Sequence, residues 1–410
     1  MNLQAYKGMR EFYPEEKLIQ NYIVNTWRSV ASRYGYKEVE CPVIEPLELF
    51  TAKSGEEIKE QLYTLTDKAG RKLALIPEIT PSIARMVVQK NIIKPIKWFS
   101  IPQCFRYERE QQGRARSFYQ LNLDILGTEN ILADAELIAT AVRIMQEFKF
   151  TKRDFYVRIS NRKILNNLLR AIDIKNTKEV YKVIDKKLKI SKEEFEKELK
   201  RLKLNNKQIE ELNKILKINN VKILGSYNID TSELEELFNY LKFYNVTDYC
   251  KLDLSVVRGL DYYTSTVFEV FDRSMKLRAI AGGGRYGNLA DIFGKEKCQG
   301  VGFGMGDVVL KLFLNEKNKL PMLTSELDYF IAIIDKSFLK DAIRIAEKLR
   351  NKYNVEINFS SKNLSKQLDY ANKINAKNVV IVGPKELSKK KVKIKDMKTG
   401  KEKLVKINSL

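Results

Sequence analysis

The sequence predicts an α+β protein whose hairpin-rich body is interrupted by a block of helices and followed by a small α/β domain. Three observations carry this. Residues 1–160 and 246–320 hold short alternating apolar runs separated by turn residues, residues 161–245 are Lys/Glu-rich with few glycines, and residues 327–410 alternate strand-like and helix-like segments. A chain of 410 residues is long enough for about two or three domains, each with its own core.

The elements follow in order. "LIQNYIVNTWRSVASRYGY" (18–36) has helical apolar spacing and stops at Gly35. "EVECPVIEPLELF" is strand-like, punctuated by Pro42 and Pro46, and "LYTLTDKAGRKLALIPEIT" is a hairpin around Ala69 and Gly70 with Glu78 near its end. "PSIARMVVQKNII" is a helix with Pro81 in its first turn. A second hairpin occupies "FRYEREQQGRARSFYQLNLDILG" (105–127), and the helical insertion 161–245 comes next. The strands "VVRGLDYYTSTVFEVF", "AIAGGGRYG" and "GVGFGMG" then resume, and "DYFIAII", "LKDAIRIAEKLRNKY", "VEINF", "LSKQLDYANKI" and "NVVIVG" form a terminal α/β domain of the parallel kind.

Composition excludes several chemistries. The chain has no histidine, which removes Ser-His-Asp and Cys-His mechanisms, His-ligated metals and any imidazole general base. Its four cysteines, Cys41, Cys104, Cys250 and Cys298, never reach C-x-x-C spacing and read as reduced thiols in or near the core. No apolar run is long enough to span a bilayer and no signal-peptide pattern opens the chain, so a cytoplasmic protein with no membrane partner is expected. The net charge of +22 suits a polyanionic partner, or a Lys-rich surface that reflects composition alone.

The second hairpin is the most informative segment. Side chains alternate along a strand, so Arg106 and Glu108 share a face on the first arm, and Gln120, Asn122 and Asp124 share one on the second, opposite Tyr119, Leu121, Leu123 and Ile125. The connecting loop adds Arg114 and Arg116 around Gly113. "GVGFGMG" places Gly300, Gly302, Gly304 and Gly306 on one strand face, either a floor for a ligand or a site of tight sheet packing. "GGGRYG" formally fits G-x-G-x-x-G, but no βαβ unit surrounds it.

The ordered segments "YKGMREFYPEE", "PVIEPLELF", "SGEE", "LIPEIT", "FRYEREQQGRARSFYQ", "VVRGLDYYTSTVFEVF", "AGGGRYGNL" and "VGFGMG" resemble the catalytic domain of the histidyl-tRNA synthetase family of class II aminoacyl-tRNA synthetases. "SSKNLSKQLDYANKINAKNVVIVG" resembles that family's anticodon-binding domain. The resemblance implies the class II fold, with a mixed, mainly antiparallel sheet, and an enzyme that uses ATP and Mg2+ to join L-histidine to tRNA(His) as a homodimer paired through "VECPVIEPLELF". It implies that Arg106 holds the α-phosphate, Glu108 the adenine amino group and Arg114 the phosphate tail, with Gly304 in the ATP site. Glu78, Thr80 and Gln120 would take the α-ammonium group, and Asp124 and Tyr263 the imidazole nitrogens, with Tyr262 and Gly283 beside them. Arg258 would lie on the α-carboxylate and α-phosphate as a catalytic residue alongside Arg106, and Arg114 and Arg116 would meet the tRNA acceptor end. The resemblance identifies no magnesium ligands.

Five positions depart from the family pattern: Val308 and Val309 stand where motif 3 usually has Glu-Arg, Asp124 where glutamate is usual, Ile76 where arginine often precedes Pro-Glu, and Tyr119 where a histidine usually lies. Two other classes fit parts of the sequence. One is a synthetase-like regulatory subunit of histidine biosynthesis, against which the intact "GRARSF" loop and the terminal domain argue; the other is a general nucleic-acid-binding protein, which would leave an ordered amino-acid pocket unexplained.

Overall fold

The structure, a computed structural model, describes residues 3–51, 60–90, 92–109, 111–187, 190–258, 263–287, 299–323, 327–360 and 362–410. "SGEE", Tyr262 and Cys298 lie outside them. The chain divides into two compact units, Met1–Glu11 with Gln20–Leu320, and Phe12–Ile19 with Pro321–Leu410.

The strands of the first unit are β1 (Lys37–Glu38), β2 (Ile44–Pro46), β3 (Thr64–Thr66), β4 (Lys72–Leu75), β5 (Ile96–Ser100), β6 (Gln103–Phe105), β7 (Ser117–Leu126), β8 (Phe155–Asn161), β9 (Cys250–Leu252), β10 (Tyr263–Asp272), β11 (Ala281–Tyr286) and β12 (Gly300–Gly306). Nine of them form one sheet in the order β1-β5-β7-β12-β11-β10-β8-β9, with β6 added to β7. The β1–β5 and β8–β9 pairs are parallel and the others antiparallel, which makes the sheet mixed and mainly antiparallel, as the sequence suggests. The hairpin expected at 62–80 forms as β3–β4, joined to β2 in a small separate sheet.

Prolines explain where strand expectations fail. "EVECPVIEPLELF" is not one strand but β1, β2 and a short helix Leu47–Thr51. Proline cannot donate to a ladder and its fixed φ suits the start of a helix, so pairing ends at Pro46 and the chain turns helical. The same property lets the long helix Pro14–Arg33 begin at Pro14, four residues before the expected Leu18, and run to the turn at Gly35, whose φ is +77°.

One face of the large sheet is closed by the helix Leu132–Glu147, which buries Leu137, Ile138, Val142, Ile144 and Met145 and is apolar on nearly every side. Such a helix needs cover all round. The sheet covers one side, and the helix Ser232–Phe243, the last of the inserted block, covers another. The block also holds helices at Arg162–Ala171, Thr177–Lys186, Lys192–Arg201, Asn206–Ile215 and Val221–Leu224, several started by side-chain caps at Asn161, Ser191, Asn205 and Asn220. It packs with the sheet as part of the same compact unit.

In the second unit β13 (Leu327–Ile333), β14 (Val355–Ile357), β15 (Ala376–Val382), β16 (Lys391–Asp396) and β17 (Glu402–Lys406) stand in the order β14-β13-β15-β16-β17. The first three are parallel, as the strand–helix alternation suggests, but β16 and β17 run antiparallel. A tight turn at Gly400, φ +71°, joins them, and only antiparallel strands can be joined so directly. Gln367, buried on the helix Leu364–Lys373, ties that helix to β13: its amide donates to the Ile333 carbonyl and its oxygen accepts from the Ile333 N–H, both at 2.9 Å.

The helix Leu132–Glu147 is pinned to the sheet by one buried ion pair. Arg285 of β11 turns its guanidinium to the Asp134 carboxylate and donates to the carbonyls of Thr128 (2.8 Å) and Asn130 (3.0 Å). Burial pushes the Asp134 carboxyl up, against the pull of Arg285. Removing one partner from such a pair strands the other, so Arg285→Met should cost about 3–5 kcal/mol in urea denaturation. Adding Asp134→Leu should recover much of that loss, and simple additivity of the two costs would contradict the pairing.

Candidate active site

The register of the central strands fixes which side chains meet. On the face away from the helix Leu132–Glu147, Asn122 of β7, Gly304 of β12, Gly282 of β11, Glu269 of β10 and Arg158 of β8 form one row across the sheet. The neighbouring row runs Asp124, Gly302, Gly284, Val267. Gln120 lies further along β7 on the same face. The middle of this front face is thus built from glycines, flanked by polar side chains.

Those glycines are spaces already in use. A Cβ at Gly282 would coincide with the Arg258 guanidinium, one at Gly302 would strike the Asp124 carboxylate, and one at Gly304 would approach the Gln120 amide at 2.9 Å. At Gly284 it would meet the Thr266 carbonyl oxygen at 2.5 Å and the Tyr263 ring at 2.9 Å. Asp124 and the Tyr263 ring therefore face each other across Gly302 and Gly284, on strands three spacings, or about 14 Å, apart. Such a gap accommodates a small planar ring lying on backbone.

Arg258 enters the row with φ +48°, a left-handed backbone that non-glycine residues seldom take. Its guanidinium is 3.5 Å from the Glu269 carboxylate and 5.9 Å from the centre of the Tyr263 ring. Glu269 also lies 3.8 Å from Arg158, whose Nε is paired to Asp253 at 2.9 Å. Arg106 donates from Nε to the Pro77 carbonyl at 2.9 Å and lies over the Phe118 ring, so the second hairpin is fastened beside Glu78. Thr80 opens the helix Thr80–Gln89, whose Ile83 and Val87 pack with Leu126, Val267 and Tyr286 and close one end of the front face.

Asp124 is buried and accepts a 2.5 Å hydrogen bond from the Tyr286 hydroxyl. Burial pushes its carboxyl up to about 7, the charge of Glu78 adds to the rise, and the Tyr286 hydrogen bond opposes it. Cys41 and Cys104 are buried, their thiols pushed up to about 11 and about 12, while Cys250 is half-buried; these are structural thiols.

Several sequence expectations change here. Gly283 does not face the site: a Cβ there would meet the Gly302 carbonyl oxygen and Phe303 on the helix-covered face, so its smallness serves packing and Gly282 takes the open-face role. "GGGRYG" lies on a central strand, in keeping with the lack of a βαβ unit around it. Arg106 and Glu108 do not share a strand face, because β6 ends at Phe105 and the Glu108 N–H turns back to the Arg106 carbonyl at 2.8 Å. The Glu108 carboxylate is paired with Arg114 at 2.8 Å. Arg116 braces the loop, lying 4.3 Å from the centre of the Tyr107 ring and donating to the carbonyls of Glu108 and Lys7 and to the Tyr6 hydroxyl. Beside it a cavity of about 400 Å³ is lined by Gly8, Met9, Arg10, Gln111, Arg114 and Ala115.

Sequence reasoning missed Tyr286 and Glu269. Period-two alternation from Gly282 through Gly284 already puts Tyr286 on the open face, and Glu269 is a lone carboxylate in the apolar run "TVFEVF". It also missed Arg10, which grips Asp307 with Nη2 at 3.1 and 2.9 Å and the Ser117 carbonyl with Nε at 2.9 Å. Asp307 accepts from the Tyr119 N–H as well, which fastens β7 to the helix Asp307–Glu316.

An antiparallel sheet with a polar, glycine-floored front, backed by helices and joined to a small α/β domain, defines a class II aminoacyl-tRNA synthetase. Residues 8–307 match the histidyl-tRNA synthetase family model and residues 328–410 the anticodon binding domain. The chain belongs to the histidyl-tRNA synthetase family. It is 38% identical over 413 residues to the chloroplastic/mitochondrial histidine–tRNA ligase of Arabidopsis thaliana, covering 98% of this chain and 85% of that one. It is 36% identical over 409 residues to the histidine–tRNA ligase of Leptospira biflexa, covering 97% and 94%. The crystal structure of histidyl-tRNA synthetase from Nostoc sp. PCC 7120 superposes with a TM-score of 0.84 at 27% identity, covering 100% of this chain and 98% of that one.

Two outcomes test the site geometry. Gly282→Ala and Gly283→Ala differ by one position but should fail differently. The first displaces only the tip of Arg258 and should fold with wild-type circular dichroism, whereas the second drives a methyl into backbone and should yield little soluble protein. Equal folding of the two would contradict the assignment of faces.

For Asp124, a folded-state pKa raised from 3.8 to about 7 means that its neutral form is favoured on folding. That contribution is fully present below about pH 4 and is lost as pH rises through about 7. Relative to Asp124→Asn, the ligand-free protein should therefore lose stability between pH 4.5 and 7.5, by at most about 4 kcal/mol, since each tenfold change in proton affinity is worth ~1.4 kcal/mol. Denaturant titrations of both proteins at the two pH values check this, and parallel behaviour would refute it.

Proposed function

We infer that the chain is a histidine–tRNA ligase: it joins L-histidine to ATP to give histidyl adenylate and then transfers the histidine to tRNA(His). The observation that carries this reading is the pair Asp124 and Tyr263, set across the Gly302–Gly284 floor beside Arg258. In this reading the imidazole lies on the glycines between Asp124 and Tyr263, and the α-ammonium group is met by Glu78, Thr80 and Gln120. A site that must hydrogen-bond a polar ring rejects analogues lacking it, because its own buried groups are then left unmatched.

Arg258 and Arg106 flank the reacting atoms. The histidine carboxylate attacks the α-phosphorus and the bond to pyrophosphate breaks; a guanidinium already in place stabilises the charge that develops. Glu108, Arg114 and Gly304 belong to the ATP side, and Arg114 with the braced Arg116 to the tRNA acceptor end. Tyr262 completes the amino-acid side in the family pattern. Magnesium would arrive on the ATP phosphates and lend them positive charge. Among the described residues no group of three or more acidic or thiol side chains is placed to hold an ion.

The domain assignment that goes with this is a catalytic domain of residues 1–160 and 246–320, a helical insertion at 161–245 and an anticodon-binding domain at 327–410. A subunit that only sensed histidine would have no use for the last. The proposed homodimer pairs through "VECPVIEPLELF", where Val43 and Ile44 are 42% and 45% exposed. Clustered exposed apolar side chains favour burial in an interface.

Pyrophosphate exchange with each of the twenty amino acids tests the activity. Exchange should require histidine and should fall on the order of a hundredfold or more in Arg258→Ala with the fold retained. Exchange with a different amino acid, or wild-type exchange in the variant, would overturn the reading. Ile44→Lys should shift the protein from dimer to monomer in light scattering at micromolar concentration, and an unchanged dimer would place the interface elsewhere.

A further inference from the structure

The segment between β10 and β11 carries an arginine that the family resemblance does not assign. Arg278 donates from Nη2 to the Gln111 side chain at 3.0 Å, at the tip of the second hairpin. A Cβ built on Gly113, whose φ is +81°, would find Val309 at 3.5 Å and the Arg278 Cδ at 3.8 Å. Arg278 therefore lies against the loop that carries Arg114, beside the residue that stands where motif 3 usually has its arginine.

This placement is built. Asp272, 1% exposed at the end of β10, accepts hydrogen bonds from the Lys276 N–H (3.2 Å), the Leu277 N–H (3.1 Å) and the Ser274 hydroxyl, which folds the turn tightly. The chain rejoins the sheet at once, the Ile280 N–H donating to the Val270 carbonyl at 2.8 Å. Arg278 is held between these two anchors, so its reach toward the hairpin is set by the sheet.

Among the described residues, Glu108 is paired to Arg114 at 2.8 Å, and burial together with the repulsion of Arg114 lowers the pKa of the Arg278 guanidinium. Among the described residues, two guanidinium groups stand beside one already engaged carboxylate, which leaves surplus positive charge there. A polyphosphate is the anion that matches two spaced arginines, and arginine suits it through paired N–H donors.

We propose that Arg278 binds the β- and γ-phosphates of ATP together with Arg114, supplying the cation that Val309 does not. As the histidine carboxylate oxygen bonds to the α-phosphorus, the bond from that phosphorus to the bridging oxygen breaks. The electron pair leaves with pyrophosphate, and Arg114 and Arg278 stabilise its growing charge. This rests on the ligase reading and names a further residue of the same site.

Steady-state pyrophosphate exchange on the full chain tests it. Arg278→Ala should raise KM for ATP roughly tenfold or more, the loss expected for one charge-assisted contact, while KM for histidine stays within about twofold. AMP, which lacks the β- and γ-phosphates, should inhibit the variant as well as the wild type. Arg278→Lys should recover part of the loss, and Arg278→Ala/Val309→Arg should recover most of it, because position 309 reaches the same point above Gly113. A rise in both KM values, weakened AMP inhibition, or unchanged ATP dependence in Arg278→Ala would overturn the assignment. A wild-type protein without histidine-dependent exchange would instead overturn the ligase reading beneath it.

Discussion

The front of the large sheet depends on side chains that are absent. Gly302 and Gly304 on β12 and Gly282 and Gly284 on β11 leave the two central strands bare, and long polar groups from their neighbours occupy the vacated volume. Arg258, Gln120, Asp124 and Tyr263 can converge only because nothing grows from the backbone beneath them. Glycine at these four positions is thus a volume requirement, and on regular strands it does not depend on unusual dihedrals.

Once the floor is bare, charge placement follows from how each group is anchored. On the back, Asp134 takes Arg285, and Arg285 satisfies two carbonyls besides. On the front, Arg158 is paired to Asp253 at 2.9 Å, Arg258 lies 3.5 Å from Glu269, and Asp124 accepts from the Tyr286 hydroxyl. The Arg285–Asp134 pair fixes the helix Leu132–Glu147 against the sheet. Arg10 and Asp307 do the same work at the edge of the site, joining the start of the chain to the end of β12.

Much of this is legible in the sequence because it is periodic. The alternation in "YQLNLDIL" gives both faces of β7, and glycine at every second position of "GVGFGMG" gives a bare face. What was not legible depends on register between strands far apart in the chain. Nothing local separates Gly282 from Gly283, and only the pairing of Gly283 with Phe303 decides which of them faces the helix. The ends of β6 and of the strand before Leu47 were missed for a different reason: a return hydrogen bond at Glu108 and a proline at 46 interrupt patterns that continue in composition. Arg278 was invisible because a turn built on Asp272 brings it to a loop far earlier in the chain, a separation of 167 positions.

The order of the sheet also bears on how the protein is made. β12 sits between β7 and β11, yet it is the last of the first unit's strands to be synthesised. While residues 127–299 are still emerging from the ribosome, β7 lacks its central partner, and an unpaired strand edge is a template for pairing with other chains. At ~5–20 residues per second that interval lasts on the order of ten seconds or more. The inserted helices are translated within it, so the nascent chain builds its most local structure while its most non-local strand pairing is pending. Since the sequence contains no histidine, no part of that wait draws on charged histidyl-tRNA, the product assigned to the finished enzyme.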